Sequence, residues 1–203
     1  MNPYRLYLIT DRKGYESTTQ MLYAIEQAII GGVSIVQYRE KNLTAREMFH
    51  EAKKLRELTL NYKIPLIIND RVDLAISVEA DGVHVGQDDL PIESVRQMIG
   101  NKIIGISTHN IQEAIEAEKK GADYIGVGTI FPTNSKKDIT KIIGIDGFNE
   151  ITSSVSIPCV AIGGITHKHM STIIKSGGVG VAVVSAILGE YDSKIAAERF
   201  DIR

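Results

Sequence analysis

The sequence predicts an α/β fold, a single (β/α)8 TIM barrel covering residues 1–203, and three observations lead to it. Strand-like and helix-like segments alternate from end to end, eight of each. Many of the strand segments are apolar on both faces, as in Ile103-Ile104-Gly105-Ile106, Cys159-Val160-Ala161-Ile162 and Val181-Ala182-Val183-Val184. Such strands belong to a parallel sheet covered by helices. A small-residue motif also recurs before every second strand: Gly31-Gly32-Val33, Ala80-Asp81-Gly82, Gly121-Ala122-Asp123 and Gly177-Gly178-Val179. Small residues there let a helix end and the chain turn sharply into the sheet. A flavodoxin-like open sheet is the rival architecture, and it usually needs fewer βα units.

Taken in order, residues 5–10 read as a strand and 18–30 as a helix stopped by Gly31-Gly32. Residues 34–38 are a strand. The helix over 44–61 follows from Met48, Ala52, Leu55 and Leu58/Thr59 at helical spacing, with Thr44 and Glu47 as a capping box. A strand at 65–69 leads to a short helix at 72–77, and a strand at 82–85 to a helix at 92–99 with Pro91 near its start. Residues 103–107 are a strand, 111–120 a helix closed by Gly121, and 124–128 a strand. A long polar loop, 129–143, comes before a short helix at 146–152. The chain ends with a strand at 158–162, a helix at 167–176, a strand at 179–184 and a helix at 193–200. No Pro/Ser-rich linker divides it, so one domain is expected.

Composition narrows the function. There are 23 basic and 25 acidic residues, a net charge of -2, which leaves no footprint for non-specific nucleic-acid binding. One cysteine, Cys159, excludes an internal disulfide and a cysteine-built zinc site, and it suits a reducing compartment and a packing role. A hydrophobic content of 43% with charges of both signs argues against disorder. The longest apolar stretch, around 179–188, is too short to span a bilayer, and the first residues lack a long apolar signal segment. A cytoplasmic globular protein acting on small molecules is expected, with no nucleic-acid or membrane partner. The outer helices show no single long apolar stripe, which leaves the oligomeric state open.

Barrel enzymes carry their chemistry at the C-terminal ends of strands. Those positions here hold Asp11, then Gln37 with Arg39-Glu40-Lys41, Asn69-Asp70-Arg71, Gln87-Asp88-Asp89, Ser107-Thr108-His109, residues 133–138, Gly163-Gly164 and Ser185. Gly163-Gly164-Ile165-Thr166 and Val184-Ser185 follow strands seven and eight, where barrels hold phosphate on backbone N–H groups. Two tight corners without a ligand are the alternative. Arg39, Lys41, Arg71, Lys136 and Lys137 add cations, while Asp70 and Asp89 add carboxylates on adjacent strand ends. Together they suggest a diphosphate clamp, with Mg2+ on one side and Arg/Lys on the other. Alone, Asp70 could cap a helix before Val72, and Asp89 one before Pro91. His109 is either a proton carrier or a loop-orienting residue. His84 reads as a satisfied core residue, and His50, His167 and His169 as solvated helix residues.

The motifs then come together. Val36-Gln37-Tyr38-Arg39-Glu40-Lys41, Ile68-Asn69-Asp70-Arg71-Val72-Asp73 and Ala80-Asp81-Gly82-Val83-His84-Val85-Gly86-Gln87-Asp88-Asp89 are followed by Gly105-Ile106-Ser107-Thr108-His109. Gly126-Val127-Gly128 leads into Phe131-Pro132-Thr133, and Ala161-Ile162-Gly163-Gly164-Ile165 completes the set. In this order the chain resembles the thiamine-phosphate synthase family, from Leu6 almost to Phe200. The resemblance implies a transferase that joins 4-amino-2-methyl-5-pyrimidinylmethyl diphosphate to a thiazole phosphate, giving thiamine phosphate and diphosphate. It implies that Gln37, Arg39, Lys41, Asn69, Ser107 and Lys136 hold the pyrimidine diphosphate, with Arg39, Lys41, Ser107 and Lys136 catalytic. Asp70 and Asp89 would bind Mg2+. Thr133, Asn134, Ser135, Gly164, Val184 and Ser185 would take the thiazole phosphate, and the loop 129–143 would be a lid. Two departures stand out. The family's Pro-Thr-x-Thr-Lys is Pro132-Thr133-Asn134-Ser135-Lys136, which keeps the hydroxyl, and the Asp of its Gly-Ala-Asp-Gly is Val179, which removes a structural cap. A related TenI-like thiazole tautomerase using His109, and a non-catalytic regulatory barrel that binds the phosphate ligand, are the alternatives. The retained Asn69-Asp70, Asp89 and Lys136 favour the synthase.

Overall fold

In the computed structural model, which describes residues 2–133 and 142–200, eight parallel strands close into a barrel in chain order. They are β1 (Leu6–Ile9), β2 (Ile35–Tyr38), β3 (Leu66–Asn69), β4 (Gly82–Val85), β5 (Ile103–Thr108), β6 (Tyr124–Gly128), β7 (Cys159–Ile162) and β8 (Gly180–Val183). β1 pairs with both β2 and β8, with Tyr7 opposite Ile35 on one side and Ala182 on the other. Closure excludes the open-sheet alternative. Around the barrel lie α1 (Thr18–Ile30), α2 (Ala45–Tyr62), α3 (Val72–Ser77), α4 (Ile92–Ile99), α5 (Ile111–Lys119), α6 (Gly144–Ser153), α7 (Met170–Lys175), α8 (Ser185–Leu188) and α9 (Ser193–Glu198). No helix among the described residues is long and apolar enough to cross a membrane.

The two-residue period of a strand divides the core. Leu8, Val36, Ile68, Val83, Ile125 and Val181 face outward and pack with helix residues such as Met21, Ile25, Leu55, Val95 and Phe148. Tyr7, Ile35, Ile67, Tyr124, Val160 and Ala182 fill the barrel axis. The expected capping box of α2 is present at Thr44 and Glu47. One residue of its buried face is an acid. Glu51 is 3% exposed, accepts hydrogen bonds from Tyr38 Oη (2.9 Å) and Thr18 Oγ1 (2.7 Å), and is paired with Arg12.

The repeat before the even strands caps the N-terminal end of the barrel. Leu6 N donates to Ser34 Oγ (3.1 Å), Leu66 N to Asp81 Oδ2 (2.8 Å) and Ile104 N to Asp123 Oδ2 (2.8 Å). Arg56 and Arg96 hold the two aspartates at 2.6 and 2.7 Å. Val179 occupies the fourth such place, where its N–H donates to Cys159 O at 2.9 Å and its side chain offers no acceptor. The missing family Asp therefore belongs to this capping end. The sharp turn before β4 is made by Glu79 in the left-handed region (φ 56°), not by the small residues that follow it.

The helices differ from the expectation in several places, the last of them, α9, ending at Glu198 and not at residue 200. α6 begins at Gly144, two residues before the expected start. The expected helix at 167–176 is a single 3-10 turn, His167–His169, followed by α7. The short helix α8, directly after β8, was not anticipated. Most of the loop 129–143, and with it the expected lid, lies outside the described residues. Its two ends meet where Ile143 N donates to Thr129 O at 2.8 Å.

Candidate active site

The ends of β1 and β2 are tied together. Thr10 N donates to Gln37 O (2.9 Å), and Arg39 N donates to Thr10 Oγ1 (2.9 Å). Gln37 is buried inside the barrel mouth, Arg39, Asn69 and Ser107 are half-buried, and Lys41 is exposed. Asp70 follows β3 in the left-handed region (φ 58°), which costs a non-glycine residue about 1–2 kcal/mol. Its N–H donates to His84 O at 2.8 Å, and its carboxylate forms an ion pair with Lys41. The capping alternative is not realised: the N-cap of α3 is Arg71, with no side-chain cap bond. Asp89 likewise does not cap α4, whose N-cap is Pro91. Its Oδ2 instead accepts from Gly86 N at 2.7 Å.

Among the described residues no group of three His, Cys, Asp or Glu could hold a metal ion. If Asp70 and Asp89 hold a metal ion, phosphate oxygens and water would have to complete its shell. That donor set suits magnesium. Arg71, expected among the clamp cations, is turned to its own helix. It donates to Asp73 through Nε (2.8 Å) and Nη2 (2.5 Å), and these bonds hold the Asp73 carboxyl below its usual range. Lys136 and Lys137 lie outside the described residues, as do Asn134 and Ser135.

The corner expected to hold phosphate is shaped by backbone. Gly164 (φ 63°) has no room for a side chain, since a Cβ would stand 2.4 Å from Pro132 O. Phe131 N donates to Gly163 O (3.0 Å) and Ile130 N to Ile162 O (2.9 Å), so the start of the β6 loop lies against the end of β7. That brings Phe131 and Pro132, which lead into Thr133, to the corner beside Gly164. Val184 caps α8 and Ser185 opens it, which places a helix start at the same end of the barrel. His169, expected to be solvated, is half-buried there. Its ring lies 4.0 Å from that of Phe131, its Nδ1 accepts from Thr166 N (3.2 Å), and burial lowers its pKa. Phe131 and His169 were missed because their pairing depends on how two distant loops meet.

His84 is a core residue, 9% exposed, and both of its ring nitrogens are engaged. Nδ1 meets Tyr124 Oη at 2.9 Å and Nε2 meets Ser107 Oγ at 3.0 Å. Tyr124 Oη lies 2.7 Å from Tyr7 Oη, which accepts from Gln37 Nε2 at 2.9 Å. Two residues expected in the substrate site are therefore joined through the barrel axis. Burial pushes the phenols of Tyr7 and Tyr124 well up, so both keep their protons. His109 is exposed, and both its backbone N (2.8 Å) and its Nδ1 (3.0 Å) meet Glu113 Oε2 in the first turn of α5. That is the loop-orienting arrangement.

Known proteins share this sequence and architecture. A family model described as thiamine monophosphate synthase matches residues 6–187. Thiamine-phosphate synthase from Clostridium botulinum (strain Langeland) is 52% identical over 195 residues, covering 96% of this chain and 95% of the relative. The same enzyme from Chloroflexus aurantiacus is 49% identical over 196 residues, covering 97% and 90%. The structure of thiamine phosphate pyrophosphorylase from Pyrococcus furiosus superposes with a TM-score of 0.89 at 42% identity, covering 98% of this chain and 94% of that one. The chain belongs to the thiamine-phosphate synthase family.

Proposed function

We propose that this barrel joins 4-amino-2-methyl-5-pyrimidinylmethyl diphosphate to a thiazole phosphate, releasing diphosphate and forming thiamine phosphate. Family membership supports the reaction class. The observation that carries the clamp is the ion pair of Lys41 and Asp70, which joins the loops after β2 and β3 at the barrel mouth. A cation and a carboxylate in contact there are the two charges that a metal–diphosphate clamp needs. With ligand bound, Lys41 would turn to the diphosphate, leaving the Asp70 carboxylate available to hold Mg2+.

The reaction breaks the bond between the methylene carbon and the diphosphate oxygen, and the electron pair leaves with the diphosphate. The aminopyrimidine ring spreads the positive charge that remains. The thiazole nitrogen then donates its lone pair to form the new C–N bond. No proton moves in that step, so no general base is required, and the protein's work is charge stabilisation and alignment. Arg39, Lys41 and Lys136 hold the leaving diphosphate. Gln37, Asn69 and Ser107 hold the pyrimidine diphosphate. Thr133, Asn134, Ser135, Gly164, Val184 and Ser185 hold the thiazole phosphate. Asp70 and Asp89 would hold Mg2+, which neutralises part of the diphosphate charge when bound.

Diphosphate release by Asp70→Ala and His109→Ala variants tests this reading. The first should lose turnover by about 100-fold, while the second should stay close to the parent protein. Retained turnover in Asp70→Ala, with loss in His109→Ala, would overturn the clamp and favour proton transfer at His109.

A further inference from the structure

Five polar side chains run in one line through the barrel: Gln37, Tyr7, Tyr124, His84 and Ser107. Only the two ends belong to the pyrimidine site proposed above. We infer that Tyr7, Tyr124 and His84 are positioning residues: they form a one-way hydrogen-bond chain that leaves Gln37 as an acceptor and Ser107 as a donor toward the pyrimidine diphosphate. The inference rests on the reading that those two residues hold that substrate.

The direction follows from counting protons. A phenol has one proton to give. Tyr7 Oη accepts from Gln37 Nε2, and if it accepted from Tyr124 as well its own buried O–H would be left without an acceptor among these partners, so its proton is assigned to Tyr124. Tyr124 in turn donates to His84 Nδ1. An imidazole that accepts at Nδ1 carries its proton on Nε2, and that proton goes to Ser107 Oγ. Ser107 then has its own O–H left to donate outward. Every link is between 2.7 and 3.0 Å, full hydrogen-bond length. Reversing one link reverses all of them. Gln37 would then present its N–H2 group, and Ser107 could only accept.

The inferred direction suits both charges that develop as the C–O bond breaks. The ring's amino hydrogens become more acidic as positive charge spreads, and the carbonyl oxygen of Gln37 accepts from them. The departing diphosphate gains negative charge, and the Ser107 hydroxyl donates to it. Dipoles already aligned at the moment of reaction stabilise it without reorganising, and each link polarises the next.

The strands are built to make room for this chain. A Cβ on Gly105 would stand 2.1 Å from Tyr124 Cζ and 2.4 Å from its hydroxyl. A Cβ on Gly126 would stand 3.1 Å from His84 Cε1. Glycine inside a strand weakens the sheet. Here the space goes to a phenol and an imidazole on the axis, where a phenylalanine would fill the same volume without a buried hydroxyl to satisfy.

The test is kinetic and spectroscopic. Tyr7→Phe and Tyr124→Phe should each lower kcat about tenfold and leave the KM for the thiazole phosphate unchanged. The double variant should be no worse than the worse single, because both cut one chain. Unchanged kcat, additive losses, or equal rises in KM for both substrates would overturn the inference. In the parent protein, 15N NMR of the imidazoles should show His84 protonated on Nε2 and bare on Nδ1. A proton on Nδ1 would overturn the inference without any variant having to fold. Failure of the parent protein to release diphosphate is a separate result: it overturns the proposed reaction itself, and the inference with it.

Discussion

Replacing Asp81 with alanine should make the barrel unfold sooner without slowing its chemistry. Asp81 Oδ2 accepts from Leu66 N (2.8 Å) and from Arg56 Nη1 (2.6 Å), and Oδ1 accepts from Nη2 (3.3 Å). Leu66 is 0% exposed, so its orphaned N–H would cost about 1–3 kcal/mol. The Arg56 and Asp81 side chains are 16% and 36% exposed, so their ion pair is partly screened and its loss adds only about 1 kcal/mol. The sum is about 2–4 kcal/mol. At about 2–4 °C per kcal/mol for a domain of this size, Tm should fall by about 5–15 °C. Asp81→Asn, which keeps an acceptor for Leu66, should lose less. Thermal unfolding by circular dichroism measures the shift, and steady-state turnover well below the transition measures the chemistry. Asp81 stands before β4, at the opposite end of the barrel from Asn69 and Asp70, so kcat should stay within about twofold of the parent. An unchanged Tm, or a collapse of kcat at unchanged Tm, would refute the assignment of this end to stability.

Glu51→Ala removes the acceptor shared by Tyr38 and Thr18 and the partner of Arg12. It should cost about 3–5 kcal/mol in urea unfolding, with Glu51→Gln recovering part of the loss. Burial, and then the charge of Glu118, push the Cys159 thiol up to about 12. At neutral pH an alkylating reagent should therefore label it only as urea unfolds the chain, and rapid labelling of the native protein would contradict this. Hydrogen bonds from Arg71 hold the Asp73 carboxyl below its ordinary value. Its stabilisation is thus present above about pH 4 and lost as pH falls through the folded-state value. Asp73→Asn should be less stable than the parent near neutrality, and the two should converge in strong acid. A difference that persists there would show that the carboxylate charge is not the cause.

The strands and most helices were legible because alternating apolar runs and caps such as Thr44 are local signals. The site's location was legible because Gln37, Asn69, Asp70 and Ser107 stand at successive strand ends, and a barrel puts those ends on one face. What could not be read depends on which side chains meet once the chain is folded. Arg71 reads as a free cation until Asp73 is seen beneath it. Glu51 sits within an apolar helix face, and its role appears only when Tyr38 and Arg12 reach it. Tyr7 and Tyr124 are separated by 117 residues. A trace of their meeting was present in the inward-facing Gly105 and Gly126, gaps in otherwise apolar strands, but a gap does not say which ring fills it. Helix α8 is too short for a periodic signal, and only its place after β8 hints at it.

The most direct test of the account is product formation by the parent protein. It is mixed with the pyrimidine diphosphate and the thiazole phosphate, with and without Mg2+, and diphosphate and thiamine phosphate are quantified together. The account predicts equal amounts of the two products, with formation requiring both substrates and the metal. A folded protein that binds the thiazole phosphate yet forms neither product, or that only exchanges protons on the thiazole, would contradict it.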